Sequence, residues 1–174
     1  MNIPKRIKLA NLPTKIEKFE ISGNKIRKLE FAIKEAIDND CDYLITCGGI
    51  QSNHARATVA VAAKLGMRAY LVLRGTEDNK VEGNYFLEKM LGANIQFVTP
   101  DEYKKNRTEI MNDIKAQLEK EGHKGYIIPE GASNGIGSIG YYKAMEEILE
   151  QEKEMGIKFD AIVVTVGSGG TYSG

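Results

Sequence analysis

The stretch YLITCGGIQSNHARATVAVAAKLG, residues 43–66, decides the fold. Its first four residues are a short apolar run, which is typical of a buried strand. A loop over residues 47–52 follows, and residues 53–65 show an alanine-rich helical pattern that Gly66 is placed to end. A buried strand that leads into a helix is half of a βαβ unit, so the stretch predicts a parallel sheet covered by helices.

The rest of the chain repeats this alternation. Four further strands are predicted, at residues 68–73, 95–98, 125–128 and 161–166, of which the last is the most apolar. Four further helices are predicted, at residues 26–39, 82–91, 106–121 and 138–155. Upstream, residues 1–18 are interpreted as a basic, irregular arm and residues 19–21 as a short extended link. The sequence therefore predicts an α/β fold with three layers, an open twisted parallel sheet with helices on both faces.

The composition is typical of a globular protein, with 174 residues and 42% hydrophobic side chains. Lys and Arg number 24 and Asp and Glu number 24, so we expect neither nucleic acid nor a membrane surface as a partner. No apolar run approaches the roughly 20 residues of a membrane helix, and the start lacks the apolar segment of a signal peptide. The two cysteines, Cys41 and Cys47, form no C-x-x-C pair. We therefore expect neither zinc nor a disulfide, and a cytoplasmic location is predicted.

Loops at the carboxyl ends of parallel strands are where such sheets bind ligands. This rule selects residues 47–52, 130–137 and 167–171, which are all rich in Gly, Ser and Asn. Gly167-Ser168-Gly169-Gly170-Thr171 lets several backbone N–H groups converge, an arrangement suited to phosphate. Tyr172 stands where a dinucleotide fingerprint requires its third glycine, so that motif is excluded. The alternative is a tight strand-to-helix turn without a ligand.

Gln51, Ser52 and Asn53 place three hydrogen-bonding side chains in a row at the start of a predicted helix. Such a row suits a carboxylate or phenolate ligand. The alternative is that Ser52 or Asn53 only caps the helix. His54, the next residue, is interpreted as a helix-face histidine whose ring is satisfied by a neighbour.

Lys25 follows the turn-forming triplet Ser22-Gly23-Asn24, and a helical pattern begins at this lysine. One interpretation is a solvated lysine at a helix start. The other is a nucleophilic amine, because the nearby charges of Arg27 and Lys28 would lower the pKa of Lys25. A lysine that faces a bound phosphate indicates pyridoxal phosphate, whose phosphate anchors the cofactor while the lysine binds its aldehyde.

Three stretches resemble the D-cysteine desulfhydrase and 1-aminocyclopropane-1-carboxylate deaminase family. They are Gly23-Asn24-Lys25-Ile26-Arg27-Lys28-Leu29-Glu30, Ile50-Gln51-Ser52-Asn53-His54-Ala55-Arg56 and Gly167-Ser168-Gly169-Gly170-Thr171. The resemblance implies a two-domain pyridoxal-phosphate enzyme of fold type II, the tryptophan-synthase-β type. It implies a small α/β domain over residues 26–138 and a partial large, cofactor-binding domain over residues 1–25 and 139–174.

The resemblance also implies a role for each matching residue. Lys25 matches the lysine that binds the cofactor covalently and later moves the α-proton of the substrate. Asn53 matches the asparagine that hydrogen-bonds the ring hydroxyl of the cofactor. Gln51, Ser52 and Asn53 match positions that bind the substrate, with Ser52 acting beside Lys25 in catalysis. The backbone of Gly167, Ser168, Gly169, Gly170 and Thr171 matches the phosphate cup.

The activity implied by the resemblance is the pyridoxal-phosphate-dependent α,β-elimination of D-cysteine to pyruvate, ammonia and sulfide. His54 after Ser52-Asn53 is more similar to the desulfhydrases than to the cyclopropane deaminases. Deamination of 1-aminocyclopropane-1-carboxylate, with the same cofactor site, is the first alternative. A non-catalytic α/β fragment that binds phosphate or dimerises is the alternative of another class. The resemblance implies a homodimer, a small amino acid as substrate and no metal.

Overall fold

The computed structural model describes residues 24–77 and 80–174. The predicted arm at 1–18, the extended link at 19–21 and the turn at Ser22-Gly23 lie outside these residues. Helices and strands alternate in the described part, in the order α1 (Lys25–Asp38), β1 (Tyr43–Gly49), α2 (Asn53–Lys64), β2 (Arg68–Arg74), α3 (Gly83–Met90), β3 (Asn94–Val98), α4 (Pro100–Lys120), β4 (Gly125–Ile127) and α5 (Gly135–Met155). A short 3₁₀ turn, Glu130–Ala132, precedes α5.

The four strands form one parallel sheet with the order β3-β2-β1-β4. Ile45 of the central strand β1 is in register with Tyr70 of β2 and with Ile127 of β4. Helix α2, with α3 beside it, packs on one face of the sheet, and α4 packs on the other. The predicted α/β fold, an open parallel sheet between two helical layers, is confirmed.

Alternate residues of β1 serve the two faces of the sheet, as the period of a strand requires. Ile45 and Cys47 lie in the core beneath α4, whereas Thr46 contacts His54 of α2 on the opposite face. The core beneath α4 consists of buried residues from β1, β2, β3 and α4, namely Tyr43, Ile45, Cys47, Val72, Val98, Tyr103, Met111, Ile114 and Leu118. Both faces of β1 are thus covered, which is typical of a central parallel strand.

Three predicted boundaries are wrong. Helix α4 begins at Pro100 instead of residue 106, because Thr99 and Glu102 form a capping box that starts the helix earlier. Helix α5 begins at Gly135 instead of 138, since the side chain of Asn134 accepts the N–H of Gly137 and caps it. Strand β1 continues to Gly49, so the predicted loop at 47–52 is confined to its last residues.

The predicted fifth strand at residues 161–166 is also wrong. This stretch forms no strand, and Val163 is 95% exposed. A strand exists only when a neighbour accepts its backbone hydrogen bonds, and no strand of the described residues pairs with this stretch. Its β-branched apolar side chains favour the extended conformation of a strand, but they do not supply a neighbouring strand to pair with.

The chain forms two compact units. One, the sheet unit, is Ala36–Gly131 and contains the whole four-stranded sheet. The other, the loop unit, is described over residues 24–35 and Ala132–Gly174 and contains Lys25 and the glycine-rich loop at 167–171. The domain bounds predicted above, 26–138 against 1–25 and 139–174, stay a prediction.

None of the helices in the described ranges combines the length and the apolar character that crossing a membrane requires.

Candidate functional site

The start of α1 is attached to the glycine-rich loop within the loop unit. Lys25 is the first residue of α1 and is half-buried. The side-chain amide of the preceding residue, Asn24, donates to Thr171 Oγ1 at 3.0 Å, and the Tyr141 hydroxyl donates to the Asn24 carbonyl at 2.9 Å. Burial raises the pKa of Tyr141, so its phenol stays a neutral donor. Two predicted candidates, Lys25 and the loop at 167–171, are thus brought together.

Lys28, one turn further along α1, is fully buried. Its ammonium donates to Ser133 Oγ at 3.2 Å, and the Ser133 hydroxyl donates to Ser168 Oγ at 2.6 Å. Burial, followed by the charge of Lys25, lowers the pKa of Lys28 to about 8. Sequence reasoning considered Lys28 only as a neighbour of Lys25. The signal that identifies it is its spacing, because residues three apart on a helix lie on the same face.

Gly170 of the loop lies directly against this ammonium. A Cβ atom on Gly170 would lie 2.7 Å from Lys28 Nζ and 2.7 Å from Ser133 Oγ, so no larger residue fits without displacing them. The loop backbone therefore contacts a buried cation, and the two together supply N–H donors and positive charge. This donor set fits the phosphate of pyridoxal phosphate.

Arg27 holds α1 on α5 and does not belong to this cation cluster. Its guanidinium donates to both carboxylate oxygens of Glu147, at 3.1 and 2.7 Å, and both side chains are largely buried. Such a bidentate pair fixes orientation as well as distance. The positive charge of Arg27 is therefore balanced by Glu147, whereas Lys28 contacts Ser133 and the loop.

Gln51 and Ser52 lie in the sheet unit between β1 and α2, and Asn53 is the first residue of α2. Ser52 is the N-cap of α2, and its Oγ accepts the N–H of Ala55 at 3.2 Å. The capping alternative is thus confirmed for Ser52. A capping hydroxyl accepts with its oxygen and keeps its own hydrogen to donate. Capping therefore leaves Ser52 able to bind a carboxylate.

Gln51 and Asn53 share a hydrogen-bond partner that sequence reasoning missed, Asn84 in the first turn of α3. The signal in the sequence is weak, because Asn84 follows Gly83 in an ordinary helix start. Its role becomes visible only when the fold places the first turn of α3 beside the β1–α2 connection.

His54 is buried, with its Nε2 2.8 Å from Thr46 Oγ1. The Thr46 hydroxyl donates its hydrogen to the Ile128 carbonyl at 2.8 Å, so it accepts from His54, and the Nε2 atom of the ring therefore carries a proton. The interpretation of His54 as a helix-face residue satisfied by a neighbour is confirmed. Among the residues that the structure describes, no group of three His, Cys, Asp or Glu side chains is arranged to hold a metal ion.

The fold and these contacts define an α/β protein with a lysine helix placed against a phosphate-type loop. The chain belongs to the pyridoxal-phosphate dependent enzyme family, whose profile matches residues 8–174. It is 46% identical over 163 residues to the mitochondrial bifunctional D-cysteine desulfhydrase/1-aminocyclopropane-1-carboxylate deaminase of Arabidopsis thaliana, with 89% of this chain and 41% of that protein covered. It is 37% identical over 159 residues to a D-cysteine desulfhydrase of Serratia proteamaculans, with 88% of this chain and 47% of that protein covered.

The structural comparison agrees with the sequence relatives. A crystal structure of an ACC deaminase homologue superimposes with a TM-score of 0.77 at 43% identity, covering 86% of this chain and 44% of that one. The predicted family and fold type are confirmed. The chain spans less than half the length of the relatives it matches.

Proposed function

We propose that this protein catalyses the pyridoxal-phosphate-dependent α,β-elimination of D-cysteine to pyruvate, ammonia and sulfide. The observation that carries the proposal is the buried Lys28 ammonium, held by Ser133 against Gly170 on the helix that begins at Lys25. Family membership and the names of the relatives support the reaction class.

Three parts of the cofactor have candidate partners in the described residues. We assign the phosphate to the Lys28 ammonium and to the backbone of the loop at 167–171, the aldehyde carbon to the Lys25 amine and the ring hydroxyl to the side chain of Asn53. The low pKa of Lys28 supports this assignment, because an anion that binds beside it restores the charge that burial disfavours.

Pyridoxal phosphate, when bound, withdraws electrons from the Cα of an attached amino acid and makes its C–H bond acidic. Lys25 Nζ then takes the Cα proton as general base. The Ser52 hydroxyl, with Gln51 and Asn53, binds the substrate carboxylate and so orients the substrate. The sulfur leaves Cβ as a thiolate, and water completes the release of pyruvate and ammonia.

An absorption titration with pyridoxal phosphate tests the cofactor, and a product assay tests the reaction. We expect a visible band that saturates with added cofactor, and pyruvate release from D-cysteine. A flat visible region would contradict the proposal at the level of the cofactor. The chain could instead release 2-oxobutanoate from 1-aminocyclopropane-1-carboxylate and no pyruvate from D-cysteine. This result would identify it as a deaminase, the activity for which several relatives are also named.

A cofactor-binding chain without turnover is the second candidate. It is favoured by the exposure of the apolar stretch at 161–166, where Val163 is 95% and Val166 62% exposed. An absorption band that saturates, together with no product from either substrate, would identify this case.

We also propose a homodimer in the cytoplasm. The two cysteines support a reducing compartment, since Cys41 and Cys47 are both free thiols. The dimer is proposed from the family resemblance, and light scattering after size exclusion measures it directly. A mass of one chain over the micromolar range would contradict it.

A further inference from the structure

We propose that Asn84 is a positioning residue, which orients the side-chain amide of Asn53 toward the cofactor. This inference rests on the proposed function, because it assigns the Asn53 amide to the ring hydroxyl of pyridoxal phosphate. Its evidence lies entirely within the sheet unit. Asn84 Nδ2 donates to Asn53 Oδ1 at 2.9 Å and to the backbone carbonyl of Gln51 at 2.9 Å.

The orientation of these amides follows from the backbone groups at the ends of the network. A carbonyl oxygen only accepts, so the Asn84 atom that contacts the Gln51 carbonyl is the nitrogen. The same nitrogen contacts Asn53, and the Asn53 atom that faces it is therefore the oxygen. The NH₂ group of Asn53 consequently points away from Asn84. The network thus chooses one of the two orientations that the Asn53 amide could adopt.

Gln51 holds Asn84 in place by the same logic. Its Oε1 accepts the backbone N–H of Asn84 at 2.8 Å, and its Nε2 donates to the carbonyl of Glu82 at 3.0 Å. Both ends of the Gln51 amide are therefore bound at the start of α3, one to Asn84 and the other to the N-cap residue Glu82. This gives Gln51 a structural task in addition to the substrate contact proposed above.

Gly83 allows this close contact. Its φ of +58° lies in the left-handed region, and a Cβ there would lie 2.6 Å from Gln51 Oε1. A larger residue at 83 would push the Gln51 side chain away from the backbone N–H of Asn84. The pair Gly83-Asn84 at the start of α3 therefore fits closely against Gln51 and Asn53 at the start of α2.

The consequence concerns the atom that Asn53 presents to a ligand. The side chain of Asn53 is exposed, and its Oδ1 accepts from Asn84. Its NH₂ group can therefore donate a hydrogen bond to a ligand. A ring hydroxyl that has lost its proton, or shares it, needs a donor and not an acceptor at this position. Reversal of the amide would present the oxygen and repel it.

Asn84→Asp and Asn84→Ala separate positioning from stability. The aspartate variant offers only acceptors at this position, so it would draw the NH₂ of Asn53 toward itself and reverse the amide. The alanine variant only removes the donor and leaves the amide free to rotate. At the start of a helix Asp is more stabilising than Ala, because it complements the helix dipole. Asn84→Asp also sets a carboxylate oxygen against the Gln51 carbonyl, so a purely structural role predicts a defect that persists when the Asn53 side chain is removed. Positioning predicts a larger defect for Asn84→Asp than for Asn84→Ala, and the loss of that defect when the Asn53 side chain is removed.

The experiment measures the Kd of pyridoxal phosphate and the position of its visible band for the full chain and its variants. We expect Asn84→Asp to weaken binding about tenfold and to shift the band, and Asn84→Ala to weaken it about threefold. Asn94→Asp, the same change at an exposed residue of β3 in the same unit, is the control and leaves both readouts unchanged. In an Asn53→Ala background, Asn84→Asp is expected to change the Kd by less than about twofold, because the group it orients is gone.

The outcomes distinguish this inference from the proposed function. If the wild-type chain binds no pyridoxal phosphate, the proposed function fails and this inference fails with it. If the wild type binds pyridoxal phosphate and both Asn84 variants bind it as tightly as the wild type, only the positioning role is overturned. The same holds if Asn84→Ala binds the cofactor more weakly than Asn84→Asp. An effect of Asn84→Asp that persists in full without the Asn53 side chain also overturns it.

Discussion

The sheet unit and the loop unit differ in where their apolar side chains go. In the sheet unit, Val72 of β2 is fully buried between its neighbours, and all four strands find partners. In the loop unit, the stretch at 161–166 has the composition of a buried strand, yet Val163 is 95% exposed. The loop unit does bury Leu29, Phe31 and Ile33 of α1, and it adds polar and charged contacts such as the Arg27–Glu147 pair and the Lys28–Ser133 bond. The two units therefore differ in this one apolar stretch, which pairs with no strand of the described residues.

The difference shows that an apolar, strand-like sequence does not by itself form a strand. Residues 68–73 and 161–166 are similar in sequence character, and only the first has neighbours on both sides in the described chain. Burial therefore depends on the neighbours that the chain supplies as well as on the local sequence. We expect the paired strands of the sheet unit to contribute to the free energy of unfolding, and the unpaired stretch at 161–166 to contribute little.

The largest expected difference between the two units comes from one substitution made at two sites. Val72→Ala removes a fully buried side chain and is expected to cost about 2–3 kcal/mol of unfolding free energy. Val163→Ala changes an exposed side chain and is expected to stay within about 0.5 kcal/mol. Urea unfolding of the two variants beside the wild type measures both. Equal costs would show that the stretch at 161–166 is buried in solution.

The titration of Glu88 makes the stability of the sheet unit depend on pH. Glu88 is fully buried on α3, and no hydrogen-bond donor in the described residues meets either carboxylate oxygen. Burial, opposed by the charge of Arg56, raises the pKa of Glu88 to about 8. A raised pKa means that its contribution to stability is complete below about pH 4.5 and is lost as the pH rises through about 8.

Glu88→Gln removes this titration. Between about pH 5 and about pH 8.5 we expect the unfolding free energy of the wild type to fall relative to that of the variant by roughly 4 kcal/mol. Glu109→Gln, at an exposed position of α4, is the control and should track the wild type at every pH. A constant difference between Glu88→Gln and the wild type across this range would show that Glu88 is already ionised and paired.

Lys28 tests whether the loop unit binds phosphate. Lys28→Gln keeps a donor to Ser133 but removes the charge, and we expect the affinity for pyridoxal phosphate to fall about tenfold. The affinity for pyridoxal, which lacks the phosphate, should change little. In the wild type the ratio of the two affinities should fall as the pH rises above about 8, where Lys28 loses its charge. A ratio unaffected by Lys28→Gln and by pH would remove Lys28 from the phosphate site.

The smallest expected effect concerns the cap that sequence reasoning missed. Thr99 accepts the N–H of Glu102 at 3.3 Å, and the Glu102 carboxylate accepts from the Thr99 N–H at 2.8 Å. Thr99→Ala is expected to cost about 1 kcal/mol of unfolding free energy. Thr108→Ala, in the exposed middle of the same helix, should be neutral or slightly stabilising because alanine is the better helix former. Thermal unfolding of both variants measures the contrast.

The sequence predicted the elements whose information is local and missed those that depend on distant partners. The alternation of apolar strands with Gly-ended helices sufficed for the four paired strands. The start of α4 was predicted at residue 106, although Thr99 and Glu102 have capping-box spacing and Pro100 suits a first helical turn. The burial of Lys28 and the contacts of Asn84 could not be predicted, because each depends on a residue far along the chain, Ser133 for Lys28 and Gln51 for Asn84.

The central claim is that Lys25 binds pyridoxal phosphate covalently in this chain. Borohydride reduces the C=N bond between a lysine and the aldehyde to a stable amine, which peptide mass spectrometry locates. We predict the label on the peptide that carries Lys25, its loss in Lys25→Ala and its retention in Lys34→Ala on the same helix. A label that persists in Lys25→Ala, or a chain that takes up none under saturating cofactor, would contradict the claim.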